Sequence, residues 1–195
     1  FDRIFSDMDR ITTSLILDYH VTDILNDAAQ VPSYEWFTGY KSMNSLLSLL
    51  TTNADHIYNI TVISTDNRLY RSGALYNAML TTDAPIFSFV RGGNGQPVIF
   101  NRALEQFDEN TVITLGRSVF QKGDFLGTIL VELPVDYLNG LLKPFDSDST
   151  QVYVLGENDK IIYSSVPVDS SVIPDELKTA LNSGKSSVSL DNTTY

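Results

Sequence analysis

The sequence predicts an α+β fold: long N-terminal helices, then an antiparallel sheet module, then the opening strands of a second, incomplete module of the same kind. Three observations carry this. Apolar residues recur at three- and four-residue steps as far as Leu50, at Ile57 the apolar period drops to two, and beyond Thr150 the layout of the first β-hairpin returns.

Phe1, Phe5, Met8, Ile11, Leu15 and Ile24 define one helical stripe, widened by Ile4, Ile16 and Leu17, and predict a helix from residue 1 to about 30. Pro32 ends it. Ser33 is the candidate N-cap of a second helix through about Leu50, which carries Trp36, Phe37, Tyr40, Met43, Leu46 and Leu47 at helical spacing. From Ile57, Tyr58, Ile60 and Val62 alternate with Asn59, Thr61 and Ile63. Asp66-Asn67, a pair that tolerates positive φ, joins strands at 57–65 and 68–72 into a hairpin. A short helix is expected at 74–80. Strands follow at 86–91, 97–103, 111–121 and 125–133, with Gly92–Gly95 and Gln121–Asp124 as turn material. The Asp66-Asn67 turn leaves antiparallel pairing as the only short connection between the first two strands, and the whole sheet is expected to be antiparallel.

A helix at 135–142 closes the module, and the polar stretch Pro144–Thr150 marks a boundary. Val152–Ser165 then repeats the layout of Val62–Ser72: a β run, an Asn/Asp turn, a basic residue, a β run with Tyr, then Ser. A helix at Pro174–Asn182 and a strand at Ser186–Leu190 follow. The expected organisation is therefore a helical stalk over 1–52, a first sheet module over 53–143, and the start of a second over 150–195. The parent protein is expected to continue past Tyr195 with further strands, because two or three strands leave an open edge and a bare face.

Composition narrows the function. The 195 residues carry a net charge of −11, which opposes binding to nucleic acid or anionic lipid, since phosphate neutralisation needs clustered Lys and Arg. The chain has no Cys, so disulfide frameworks and thiol nucleophiles are excluded. His20 and His56 are its only histidines and do not stand at a metal-ligand spacing. No Gly-x-Ser-x-Gly turn and no acid/base pair is recognisable, and the sequence points to no enzyme, no metal and no cofactor. No apolar run reaches the roughly 20 residues that span a bilayer.

Two cations stand out on otherwise apolar strand faces. Arg117 follows Ile113 and Leu115 and precedes Val119; Arg91 follows Phe87 and Phe89. Each reads either as a pocket residue gripping an anionic or hydroxyl-rich ligand through its forked donors, or as a structural cation, paired with one of the 24 acidic residues or reaching water.

The long helical start and the runs Ile57–Gly73 (IYNITVISTDNRLYRSG), Thr111–Leu142 (TVITLGRSVFQKGDFLGTILVELPVDYLNGLL) and Val152–Ser165 (VYVLGENDKIIYSS) resemble the double Cache, PAS-like sensor region of bacterial membrane receptors. The most similar family is the ectodomain of YesM-type sensor histidine kinases of Gram-positive bacteria. In "GDFLGTILVELP", Gly127 opens the last strand as it does in that family. The resemblance implies an extracytoplasmic input domain of a two-component system that binds a small molecule, sugar-derived among the options. It also implies a homodimer through the N-terminal helix, tethered by membrane helices outside this chain. The same scaffold serves chemoreceptors and cyclases, and a secreted carbohydrate-binding protein is the alternative from another class.

The resemblance places Tyr70, Arg71 and Tyr76 where Cache ligand loops lie. With Arg91 and Arg117 they form the expected ligand-binding set. Relatives that bind free amino acids there carry Arg-x-Trp-Tyr; the local Tyr70-Arg-Ser-Gly-Ala-Leu-Tyr76 has no Trp, which argues against that ligand.

Overall fold

The computed structural model describes residues 2–27, 33–72, 85–103, 111–142, 152–155, 161–164, 189–190 and 193–194. Helices α1 (Asp2–Leu17), α2 (Tyr19–Asn26) and α3 (Tyr34–Thr52) lead into strands β1 (Asn59–Ser64) and β2 (Leu69–Arg71). Helix α4 (Pro85–Gly92), strands β3 (Val98–Ala103), β4 (Thr111–Gln121) and β5 (Asp124–Pro134) and helix α5 (Val135–Leu142) follow. Two hairpins come last, β6 (Tyr153–Leu155) with β7 (Ile161–Ser164) and β8 (Ser189–Leu190) with β9 (Thr193–Thr194). The expected helices at 74–80 and 174–182, like Tyr76, lie outside the described residues.

The first helical stripe forms two helices rather than one. Asp18 interrupts it: its carboxylate accepts the His20 backbone N–H at 2.8 Å and caps α2. A short polar side chain competes in this way for backbone partners and favours a cap over a helix interior. Ser33 caps α3 as expected, accepting from the Trp36 N–H.

The sheet has the order β2-β1-β5-β4-β3, every pairing antiparallel. Asn67 takes φ +66° in the β1–β2 turn. The expected strand at 86–91 is instead helix α4. Phe87 and Val90, three residues apart, are buried, while Phe89 between them is half exposed. Pro85 sets the first helical φ, and the Gly92-Gly93 pair stops the helix. A run this short shows a period of two or three equally well, and tertiary burial selects the three.

Residues directly opposite in neighbouring strands share a face. One face carries Tyr70, Ile60, Val62, Ile129, Val131, Leu133, Ile113, Leu115 and Arg117. It packs on Met8, Ile11 and Leu15 of α1, Val21 and Leu25 of α2, and Met43 and Leu47 of α3 in one continuous core. The helices of residues 2–52 are thus built into the sheet's own core. The opposite face carries Ile63, Leu130 and Val98, which pack against Phe87 and Val90 of α4. Two glycines permit these contacts. A Cβ on Gly116 would lie 2.5 Å from Val90 Cγ2, and one on Gly127 would strike the Ile63 carbonyl oxygen.

Two clasps fix the helices to the sheet. Arg117 donates to Asp9 Oδ1 at 2.5 Å and to Thr13 Oγ1 at 2.6 Å, joining β4 to α1. Arg68, in the β1–β2 turn, pairs with Asp66 at 2.7 Å and donates to the Asp27 carbonyl at the end of α2 at 2.6 Å. A cation at a helix C-terminus complements the dipole.

Beyond α5, the β6–β7 hairpin repeats the antiparallel layout of β1–β2. Its Tyr163 is buried in the same core as α1, α2 and α3 and donates to Asn139 Oδ1 of α5 at 2.6 Å.

Replacing Arg117 by Ala is expected to lower stability by about 1.5–3 kcal/mol in urea denaturation, the range for hydrogen bonds to charged groups. Asp9 keeps 45% of its side-chain exposure, so the larger cost of a fully buried pair does not apply. A double-mutant cycle with Asp9→Asn will show the coupling; additivity would contradict the clasp. Asp66 supplies a pH signature. Burial raises its pKa, but the Arg68 hydrogen bond, the Ser64 hydroxyl and the Arg68 charge together outweigh burial and hold the carboxyl below its ordinary value. Its contribution is present above the unfolded value of about 3.9 and is lost as the pH falls through the lower folded value. Asp66→Asn is expected to flatten the loss of stability below about pH 4.

Candidate functional site

The sheet divides the expected ligand-binding residues. Tyr70 lies on the helix face, buried beneath Tyr40 with ring centroids 5.8 Å apart, and burial pushes its hydroxyl pKa up. Arg117 lies on the same face, held by α1. Arg71 and Arg91 belong to the opposite, α4 side: Arg71 pairs with Thr61 there, and Arg91 ends α4 with its guanidinium 4.7 Å from the centroid of the Phe125 ring. One pocket holding Arg117 together with Arg71 or Arg91 is therefore not formed, because a packed sheet stands between them. The alternation that singled out Arg117 was sound, but the face it occupies is covered by Asp9 and Thr13.

The chemistry the sequence reading missed is on the α4 face. Asn59, Glu132, Thr114 and Phe100 are directly opposite one another across β1, β5, β4 and β3, and form one continuous row. The next row brings Arg71 and Thr61 beside it. Glu132 and Thr61 are each 1% exposed and Thr114 is fully buried. A carboxylate at the centre of a sheet is costly unless bonded. Asn59 Nδ2 supplies a bond to Glu132 Oε2 at 2.8 Å, and the same amide donates to Thr61 Oγ1 at 2.9 Å. The Thr114 hydroxyl, opposite Glu132, has no hydrogen-bond partner among the described residues. The signal was in the sequence: Glu132 is the one charged residue between Leu126 and Leu133.

A chain of hydrogen bonds leads from this corner to α3. The Ser72 hydroxyl donates to Asn59 Oδ1 at 3.3 Å and accepts the Ile60 N–H at 2.8 Å. The Ser72 carbonyl accepts from Ser48 of α3 at 2.9 Å, and the Arg71 N–H donates to Asn44 Oδ1, one helical turn away, at 3.0 Å. These contacts also occupy the outer edge of β2, which would otherwise be open to pairing.

An orphaned buried hydroxyl destabilises the protein in the absence of a partner. Thr114→Val, which keeps the shape and removes the hydroxyl, is expected to raise stability by about 1 kcal/mol in chemical denaturation. A loss of comparable size would mean that the hydroxyl is satisfied.

No protein-family model matches the sequence, nor does any curated protein. Solved structures do match. The ligand-binding domain of the Campylobacter jejuni chemoreceptor Tlp3 in complex with L-norvaline aligns with a TM-score of 0.59 at 14% identity, over 99% of this chain and 76% of that one. The extracellular domain of the putative histidine kinase soHK1S-Z6 aligns at 0.57 and 16%, over 96% and 80%. A domain of a putative sensory box/GGDEF family protein from Vibrio parahaemolyticus aligns at 0.55 and 13%, over 72% and 57%. The chain has the α+β fold shared by these sensory domains.

Proposed function

We propose that this chain is the extracytoplasmic small-molecule-sensing region of a bacterial membrane receptor, with residues 53–143 as a membrane-distal Cache module and 150–195 as the start of a second. The observation that supports it best is the polar corner Asn59–Thr61–Arg71–Thr114–Glu132, with Thr61, Thr114 and Glu132 buried, on the face of the sheet opposite the one that packs on α1, α2 and α3. A row of this kind is poor core material. Buried carboxylate, amide and hydroxyl groups aimed to one side are what orient a small polar ligand in an otherwise apolar site.

Glu132 favours a ligand bearing an ammonium or hydroxyl donor. The structural neighbours include an amino-acid-bound chemoreceptor domain, so amines stand beside the sugar-derived ligands considered from sequence. Arg71, which lies beside this row, takes part in binding. Ligand binding at the corner would act on α3 through Ser72, Asn44 and Ser48, and differential affinity for two positions of α3 would bias the receptor's output. That output is a kinase on the sequence resemblance. A homodimer through α1 and tethering by flanking membrane helices complete the reading.

The test is a thermal-shift and calorimetric screen of the purified chain against amino acids, biogenic amines and mono- and disaccharides. A ligand at about 100 times its Kd stabilises by about 2.7 kcal/mol. Glu132→Gln is expected to remove that stabilisation at least tenfold in affinity while keeping the fold. A ligand bound equally well by Glu132→Gln would refute the assignment of the corner.

A further inference from the structure

A cavity of about 290 Å³ opens on the same face of the sheet, at the end far from the polar corner, between α4 and strands β1 and β5. Ile63 and Thr128 form its floor, Phe87 and Phe125 its walls, and Arg91 stands at its rim. It is separate from the polar corner. Thr128 and Glu132 are four residues apart on β5, about 13 Å at the rise of an extended strand. Leu130 lies between them, buried under Phe87 and Val90.

Two features of this cavity are unexplained by packing. The Thr128 hydroxyl is buried, in a residue 1% exposed, and has no hydrogen-bond partner among the described residues. Arg91 pairs with no carboxylate among the described residues, in a chain with 24 acidic side chains; its guanidinium rests on the Phe125 ring. A planar cation stacked on an aromatic ring is held in place while its forked donors stay available to an anion. The C-terminal end of α4 carries partial negative charge and does not favour an anion, so among the described lining residues the positive charge comes from Arg91.

We propose that this cavity is a second small-molecule site, specific for a short hydroxycarboxylate. The carboxylate accepts from the Arg91 guanidinium. The aliphatic part lies between Phe87 and Phe125. The ligand hydroxyl pairs with Thr128, whose own hydroxyl both donates and accepts. A buried water on Thr128 is the competing account of the same cavity.

The experiment is amide NMR of the whole chain titrated with sodium 3-hydroxybutyrate, with butyrate and 1,3-butanediol as partial probes. Saturable shifts are expected at Ser88, Phe125 and Thr128 at millimolar concentration, weaker for butyrate and absent for the diol. Arg91→Gln is expected to weaken 3-hydroxybutyrate about tenfold, the effect of losing one charge-assisted interaction. Thr128→Val is expected to weaken 3-hydroxybutyrate to the level of butyrate and to leave butyrate unchanged. Glu132→Gln should change none of this, which keeps the result independent of the ligand at the polar corner. No saturable shift up to about 50 mM, an Arg91→Gln protein that binds as well as the parent, or shifts that map to the corner and vanish in Glu132→Gln would each overturn the proposal.

Discussion

Eight consecutive residues of β5, Leu126–Leu133, are buried, so the central strand has no wet face. Antiparallel sheets commonly leave one side to solvent. This one cannot, and both layers above and below it follow from that constraint. One side takes α1, α2 and α3 and encloses the larger core. Among the described residues the other takes α4, which is eight residues long and packs against only part of the five-stranded sheet. The polar corner at Glu132 lies one row beyond the strand positions that α4 packs against. Removing the apolar contacts between α4 and Leu130 would therefore disturb the partition between the corner and the cavity at the other end.

The two faces carry polar groups of different kinds. On the helix face, Arg117 is matched by a carboxylate and a hydroxyl from α1, and its role is to set where α1 lies. On the α4 face, Thr114 and Thr128 present hydroxyls that nothing in their own rows satisfies, while Ser118 on the same face donates to the Val90 carbonyl and anchors α4. Satisfied polar groups fix the scaffold. Unsatisfied ones are a standing cost, and on the proposed reading a bound molecule removes it.

The helical stripes, the change of period at Ile57 and the Asp66-Asn67 turn were legible because each is a local pattern with a local cause. The boundaries at Ser33, Thr111, Gln121 and Leu142 came from the same signals. What was not legible depended on tertiary context. The 86–91 segment alternates well enough to pass for a strand, and only the placement of Phe87 and Val90 over Gly116 and Leu130 makes it helical. Asp18 interrupts a continuous apolar stripe by a cap that the stripe itself does not reveal. Arg117 was found for the right physical reason, a cation on an apolar face, yet its partner 108 residues away decides what it does. Glu132 was overlooked although it breaks its strand's apolar run more sharply than Arg117 breaks its own.

A sheet packed on both faces transmits little by bending, since its interior is as dense as a crystal and responds by discrete shifts. On the proposed reading, a ligand at the polar corner must therefore act around the sheet and not through it. The edge strand β2 offers that route. It is three residues long, its inner side pairs with β1, and its outer side is bonded to Asn44 and Ser48 of α3. Asn59 reaches Glu132 on one side and Ser72 on the other, so any change in the hydrogen bonding of Glu132 is felt two bonds later at the α3 contact. Couplings of this kind amount to about 1–3 kcal/mol, enough to move a balanced equilibrium and far too little to unfold the module. Helices α1 and α2, held by the Arg117 and Arg68 clasps, then serve as the fixed reference against which α3 can shift.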